Sequence, residues 1–141
     1  MSDAEFPITI FHNPKCGTSR NTLAMVTAAG YTPHVVEYLK TGWTEAQLRG
    51  LMRRMGVGAR ALMREKGAPA EELGLLRPEA ADDEILAAMV AHPILVNRPI
   101  VDTPLGVRLC RPSEHVLDLL ERQPTEFTKE DGEVVRIKPR A

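Results

Sequence analysis

Ile8-Thr9-Ile10-Phe11-His12-Asn13-Pro14-Lys15-Cys16-Gly17-Thr18-Ser19-Arg20 is the stretch that decides the fold. Its first four residues are apolar or β-branched, which suits a short buried strand. Asn13-Pro14 stops that strand, because proline has no N–H for a sheet and restricts the residue before it. Residues 18–29 favour a helix. Leu23, Met25 and Val26, with Ala28 and Ala29, give it a packed face, and Gly30 suits the left-handed position that closes a helix. Val35-Val36-Glu37-Tyr38 reads as the next strand. The order strand, helix, strand predicts a parallel pair joined by a right-handed crossover, the usual opening of an α/β domain.

Further along, Thr44-Glu45-Ala46-Gln47 has the spacing of a capping box and predicts a helix that runs to Met55, where Gly56 and Gly58 break it. Helices at about 59–66 and 83–92, the second stopped by Pro93, make the middle of the chain read as wholly helical. It is an insertion of about residues 44–92 beside the sheet. Ile100-Val101-Asp102-Thr103, a Pro104-Leu105-Gly106 turn and Val107-Arg108-Leu109-Cys110 read as a β-hairpin, and Pro112 opens a last helix to residue 122. The expected fold is therefore α/β: a mixed four-stranded sheet flanked by helices, with the helical insertion between a β-α-β half and a β-β-α half. The tail, about 123–141, is polar, with a small hairpin at Asp131-Gly132. The 141 residues, 43% of them hydrophobic, suffice for one core, so residues 1–141 are expected to form a single domain without repeats.

Composition excludes several classes of function. A formal net charge of −1 gives no global field toward nucleic acid or an anionic membrane, and aromatics at 4% are too few for a base-stacking surface. The longest apolar runs fall well short of the roughly 18 residues a spanning helix needs. Residues 1–6 lack a basic segment followed by an apolar core, so a cytoplasmic protein is expected. The two cysteines, Cys16 and Cys110, lie too far apart in sequence for a metal-ligand pair and do not resemble a secreted disulfide framework. With four scattered histidines, no metal site is expected.

Cys16 falls where the unpaired N–H groups of a beginning helix point outward and the positive end of its dipole lies, and both favour a thiolate. An ordinary cysteine is only a few per cent thiolate at neutral pH, so such a position makes the sulfur a much better nucleophile. The same N–H groups could cradle an oxyanion against the sulfur. The alternative, an inert thiol beside a helix capped by Thr18 or Ser19, fits cysteine usage in general but not this strand-loop-helix position. His12, four residues earlier, either helps to lower the thiol pKa or is a structural histidine. Cys110 ends an apolar strand and reads as a core thiol.

Three arginines stand out. Arg98 sits inside Ile94-Leu95-Val96-Asn97-Arg98-Pro99-Ile100-Val101, an otherwise apolar run, where a half-buried guanidinium needs an anion. Arg111 follows Cys110 and precedes Pro112 at a strand exit. Arg64, in Ala61-Leu62-Met63-Arg64, is less telling alone, since short helices carry surface arginines. A forked donor binds two oxygens of a tetrahedral oxyanion at once, which lysine cannot do.

With these residues in view, the sequence resembles the glutaredoxin-coupled arsenate reductases of the ArsC type. The resemblance runs from about residue 8 to 132 and rests on His12-Asn13-Pro14, Cys16-Gly17-Thr18-Ser19-Arg20-Asn21-Thr22-Leu23, Arg60-Ala61-Leu62, Glu71-Glu72-Leu73-Gly74-Leu75, His92-Pro93-Ile94-Leu95, Asn97-Arg98-Pro99-Ile100-Val101, Thr103-Pro104-Leu105-Gly106 and Arg108-Leu109-Cys110-Arg111-Pro112-Ser113-Glu114. It implies a thioredoxin-like fold and a cis Arg98-Pro99 bond. Cys16 would be the nucleophile, tuned by His12 and Ser19, and Arg64, Arg98 and Arg111 would bind the arsenic oxyanion. It also implies arsenate and arsenite as substrate and product, glutathione as co-substrate, glutaredoxin as partner and no tightly bound cofactor. Ser19 stands where a two-cysteine redox loop would hold its resolving thiol, so an external reductant is expected. Two rivals share the loop: a monothiol glutaredoxin-like protein binding glutathione or an iron-sulfur cluster, which the arginine motifs oppose, and a non-enzymatic redox regulator of transcription, which typically carries the second cysteine. A phosphatase-like arsenate reductase needs arginine where Thr22 stands.

Overall fold

The apolar run that Asn13-Pro14 closes forms β1 (Thr9–His12), and Gly17–Ala28 forms helix α1. The helix ends at Gly30, whose φ of 94° is the left-handed conformation glycine adopts without a Cβ penalty. The chain then returns as β2 (His34–Glu37), parallel to β1 with Thr9 opposite His34 and His12 opposite Glu37. The computed structural model describes residues 5–137. Later in the chain, β3 (Ile100–Thr103) pairs antiparallel with β1, and β4 (Gly106–Leu109) pairs antiparallel with β3. The resulting order, β2-β1-β3-β4, is the mixed four-stranded sheet of a thioredoxin-like fold.

One face of this sheet carries a core of Ile8, Ile10 and Val101 packed with Met25 and Val26 of α1 and with Val116, Leu117 and Leu120. The last three belong to the segment expected as an α-helix over 112–122. It is instead a 3₁₀-helix over Ser113–Leu119. Its buried residues Val116, Leu117, Leu119 and Leu120 recur at spacings of three. Three residues per turn put all of them on one face, which 3.6 does less well. Beyond it, β5 (Glu126–Thr128) and β6 (Val134–Arg136) form a two-stranded antiparallel hairpin around Asp131-Gly132. Phe127, Val135 and Ile137 lie against the same core.

Contacts divide the chain into two compact units: one comprises the chain up to Glu37 and again from Arg98, the other Tyr38–Asn97. The second is wider than the expected 44–92. It contains α2 (Tyr38–Thr41), α3 (Glu45–Met55), α4 (Ala59–Leu62), α5 (Asp82–Ala91) and a 3₁₀ turn at Pro93–Leu95. The capping box at α3 is present: the Gln47 N–H donates to Thr44 Oγ1 at 3.1 Å, and the Thr44 N–H to Gln47 Oε1 at 3.4 Å. The middle of the chain is not wholly helical, however. α4 stops at Leu62, and no helix occupies residues 63–81. Gly67 and Gly74 take left-handed φ of 75° and 73°, and Pro69 and Pro78 interrupt any helical run. Arg60 stitches this loop by donating to the carbonyls of Leu75 (3.3 Å), Arg77 (3.1 Å) and Ala80 (2.8 Å). No helix among the described residues is long and apolar enough to cross a membrane.

Candidate functional site

Cys16 is the N-cap of α1, in extended backbone conformation (φ −100°, ψ 121°). Its carbonyl accepts the first intrahelical bond, from the Arg20 N–H at 3.0 Å, and its own N–H donates to the Asn13 carbonyl at 3.0 Å. Caps are usually Ser, Thr, Asp or Asn, whose oxygen accepts from the helix start. Here a cysteine stands in that place and makes no side-chain capping bond, while the Ser19 backbone N–H favours the anionic form of its sulfur.

Asn13, which sequence reasoning used only as a strand terminator, organises the loop. It is buried, and besides accepting the Cys16 N–H it takes the Lys15 N–H on Oδ1 at 2.9 Å. Its own N–H donates to Ser19 Oγ at 3.1 Å. An Asx turn ahead of a helix was the available signal. Ser19 Oγ also lies 2.6 Å from His12 Nδ1. Burial first, and Arg20 in addition, lower the His12 pKa against an opposing push from Glu37, so the ring is held neutral. The Ser19 side chain thus serves His12 and Asn13, while its backbone N–H lowers the pKa of the sulfur.

Two arginines converge on the thiol. Arg98 and Arg111 both precede cis prolines, Pro99 and Pro112; the first cis bond was expected and the second was not. Arg111 Nη1 lies 3.6 Å from Cys16 Sγ and 3.0 Å from the Arg98 carbonyl oxygen, so the Arg98 main chain steadies the guanidinium that touches the sulfur. Burial pushes the Cys16 thiol up. The Ser19 N–H, the Arg98 charge and the Arg111 contact together outweigh it and leave the thiol below its ordinary pKa. Cys16 is nevertheless only 7% exposed.

Cys16, His12, Ser19, Arg98 and Arg111 are therefore brought together in the larger unit. Arg64 belongs to the smaller unit, just after α4, where its N–H donates to the Leu95 carbonyl at 2.7 Å and its Nε to the Lys66 carbonyl at 2.8 Å. Cys110 is fully buried, its thiol is 3.7 Å from the Arg108 carbonyl, and burial pushes its pKa up to about 12. Among the described residues no group of three or more His, Cys, Asp or Glu could hold a metal ion. The arrangement offers an activated sulfur with cationic fork donors beside it, suited to attack on the centre of an oxyanion.

The ArsC family model matches residues 11–119. The chain is 57% identical over 129 residues to the arsenate reductase ArsI2 of Synechocystis, covering 91% of this chain and 92% of that protein. It is 54% identical to an Escherichia coli arsenate reductase with the same shares covered. Among solved structures, the arsenate reductase from Vibrio cholerae superposes with a TM-score of 0.77 at 40% identity, over 82% of this chain and 98% of that one.

Proposed function

The chain belongs to the ArsC family and is an arsenate reductase, and on that premise we propose that Cys16 is its nucleophile, supported by His12 and Ser19, with Arg64, Arg98 and Arg111 binding the oxyanion. The observation that carries this reading is the Arg111 guanidinium 3.6 Å from the Cys16 sulfur. That contact favours the thiolate, and its remaining donors suit oxygens attached to an atom bonded to the sulfur. The family model spans both units, which supports treating them as parts of one reductase domain.

The proposed reaction runs in three steps. The Cys16 thiolate attacks arsenic in arsenate, forming a sulfur-arsenic bond as one oxygen leaves as water. A glutathione thiolate then attacks the Cys16 sulfur of the adduct. The sulfur-sulfur bond forms, the sulfur-arsenic bond breaks, and its electron pair stays on arsenic, which departs as trivalent arsenite. Glutaredoxin finally removes glutathione from Cys16. The two sulfurs supply the two electrons.

External thiols are favoured by what surrounds Cys16. Ser19 occupies the place of a resolving cysteine, and Cys110 is buried with a thiol pKa of about 12, too high for a resolving role at neutral pH. Glutathione and glutaredoxin point to the cytoplasm, where such thiols are kept reduced. The test is arsenite release from arsenate by the purified protein with glutathione and glutaredoxin. Activity is expected to vanish in Cys16→Ser and to persist in Cys110→Ser. Loss in both variants would point to an intramolecular disulfide, and dependence on a different thiol donor would displace glutaredoxin. A coloured cluster bound with glutathione would favour the glutaredoxin-like rival.

A further inference from the structure

The C-terminal hairpin touches both halves of the site through two consecutive residues at its turn. Glu130 makes a two-pronged ion pair with Arg20, Nε to Oε2 at 2.7 Å and Nη2 to Oε1 at 2.9 Å, and its N–H donates to Asn21 Oδ1 at 3.1 Å. The third nitrogen of the same guanidinium, Nη1, donates to the Pro14 carbonyl at 2.7 Å. Pro14 lies in the loop that delivers Cys16, so this arm runs from the hairpin through Arg20 to the nucleophile's loop. The preceding residue, Lys129, reaches the other way. Its Nζ lies 2.7 Å from Glu114 Oε1, three residues after Arg111.

We propose that Lys129-Glu130 is a positioning element of the reductase site, holding the Cys16 loop through Arg20 and the Arg111 segment through Glu114 so that sulfur and guanidinium stay in contact. The proposal rests on the reading of Cys16 and Arg111 given above. Neither hairpin residue touches the sulfur; each acts through another. A direct tie also exists, from Ser113 Oγ to the Thr18 carbonyl at 3.0 Å, but it joins a side chain to the α1 backbone and does not reach the Arg111 side chain. The Pro14 carbonyl is not held by that tie, and Arg20 supplies the fork geometry a lysine would lack.

Exposure argues that the pairing with Arg20 serves geometry more than global stability. The Arg20 and Glu130 side chains are 43% and 47% exposed, a setting in which ion pairs add little to folding. Lys129, at 11%, is better shielded, and its pairing with Glu114 holds the carboxylate below its usual range against the upward push of burial.

The two grips act in series, because both run through adjacent residues of one hairpin. Breaking either one cuts the link, and breaking both does no more. The experiment measures the pH dependence of Cys16 alkylation by iodoacetamide, together with kcat and KM for arsenate, in Glu130→Ala, Lys129→Ala, the double variant and Arg136→Ala as a hairpin control. Circular dichroism checks that each is folded. Each single variant is expected to move the alkylation midpoint to higher pH and to raise KM about three- to tenfold, in keeping with a small misplacement near the reacting atoms. The double variant is expected to match the worse single one, Lys129→Arg to recover most of the loss, and Arg136→Ala to behave as wild type. An unchanged alkylation midpoint in both single variants, or a double variant that multiplies the single losses, would overturn the proposal. Alkylation needs no arsenate, so shifted midpoints without any arsenite release would keep the positioning role and remove the reductase reading.

Discussion

Cys16 and Cys110 lie in the same unit, 7% and 0% exposed, and burial pushes both thiols up. They nevertheless end on opposite sides of the ordinary cysteine range. At Cys16 an N–H and two guanidinium groups favour the anion. At Cys110 burial dominates, and the thiol donates to the Arg108 carbonyl oxygen at 3.7 Å. Cys110 also has an arginine in its surroundings. The Arg108 side chain, however, is bound to Asp118 at 2.7 Å, and the two charges act on the thiol in opposite senses. At Cys16 both guanidinium charges, of Arg98 and of Arg111, act on the sulfur in the same sense, toward the anion.

This contrast can be broken from either side. The largest effect is expected for Cys16→Ser, where arsenite release should fall by about three orders of magnitude or more, since a serine hydroxyl is not ionised in this setting. Next comes Arg111→Ala. Removing the donor beside the sulfur should lower kcat/KM by about a hundredfold. It should also move the alkylation midpoint of Cys16 toward that of an ordinary thiol. Arg111→Lys should restore the midpoint better than the turnover, because charge survives and the fork does not.

Ser19→Ala separates main chain from side chain. It removes the hydroxyl shared by His12 and Asn13 and should cost about 1–3 kcal/mol in urea unfolding, the range for stranding buried polar partners. The Cys16 alkylation midpoint should stay nearly in place, because the Ser19 N–H remains. The smallest effect on turnover is expected for Cys110→Ala: unchanged activity and about 1 kcal/mol less stability near neutral pH. Its sign reverses the usual acid case. A thiol raised to about 12 in the fold contributes stability that is complete below its unfolded pKa and is lost as pH rises through the folded one. Alkaline unfolding should therefore be less steep in Cys110→Ala than in wild type.

Local signals carried most of the fold. Asn13-Pro14, Gly30, the Thr44–Gln47 capping pair and the Pro104-Leu105 turn each act within a few residues, and the elements they bound are found near the expected positions. Arg98 and Arg111 stood out because a charge interrupts an apolar run or closes a strand. What escaped notice depends on partners distant in sequence. Nothing local in Arg20 announces Glu130, 110 residues away, and nothing around Asn13 alone says that Ser19 needs its N–H. The 3₁₀-helix departs from the expected α-helix for a different reason: Pro112 and an apolar run fit either helix, and only the three-residue recurrence of the buried Val116, Leu117, Leu119 and Leu120 tells them apart. The expectation of a wholly helical middle fails at 63–81: the helix expected to reach residue 66 stops at Leu62, and Gly67, Pro69, Gly74 and Pro78 keep the following stretch out of helix.

The depth of Cys110 makes the folded chain, toward any thiol reagent added from outside, a protein with one cysteine. A single label per molecule counts catalytic sites. A second label enters only after the sheet has opened, so the ratio of doubly to singly labelled chains, followed by mass against time, is a clock for unfolding that runs in the same tube as the assay.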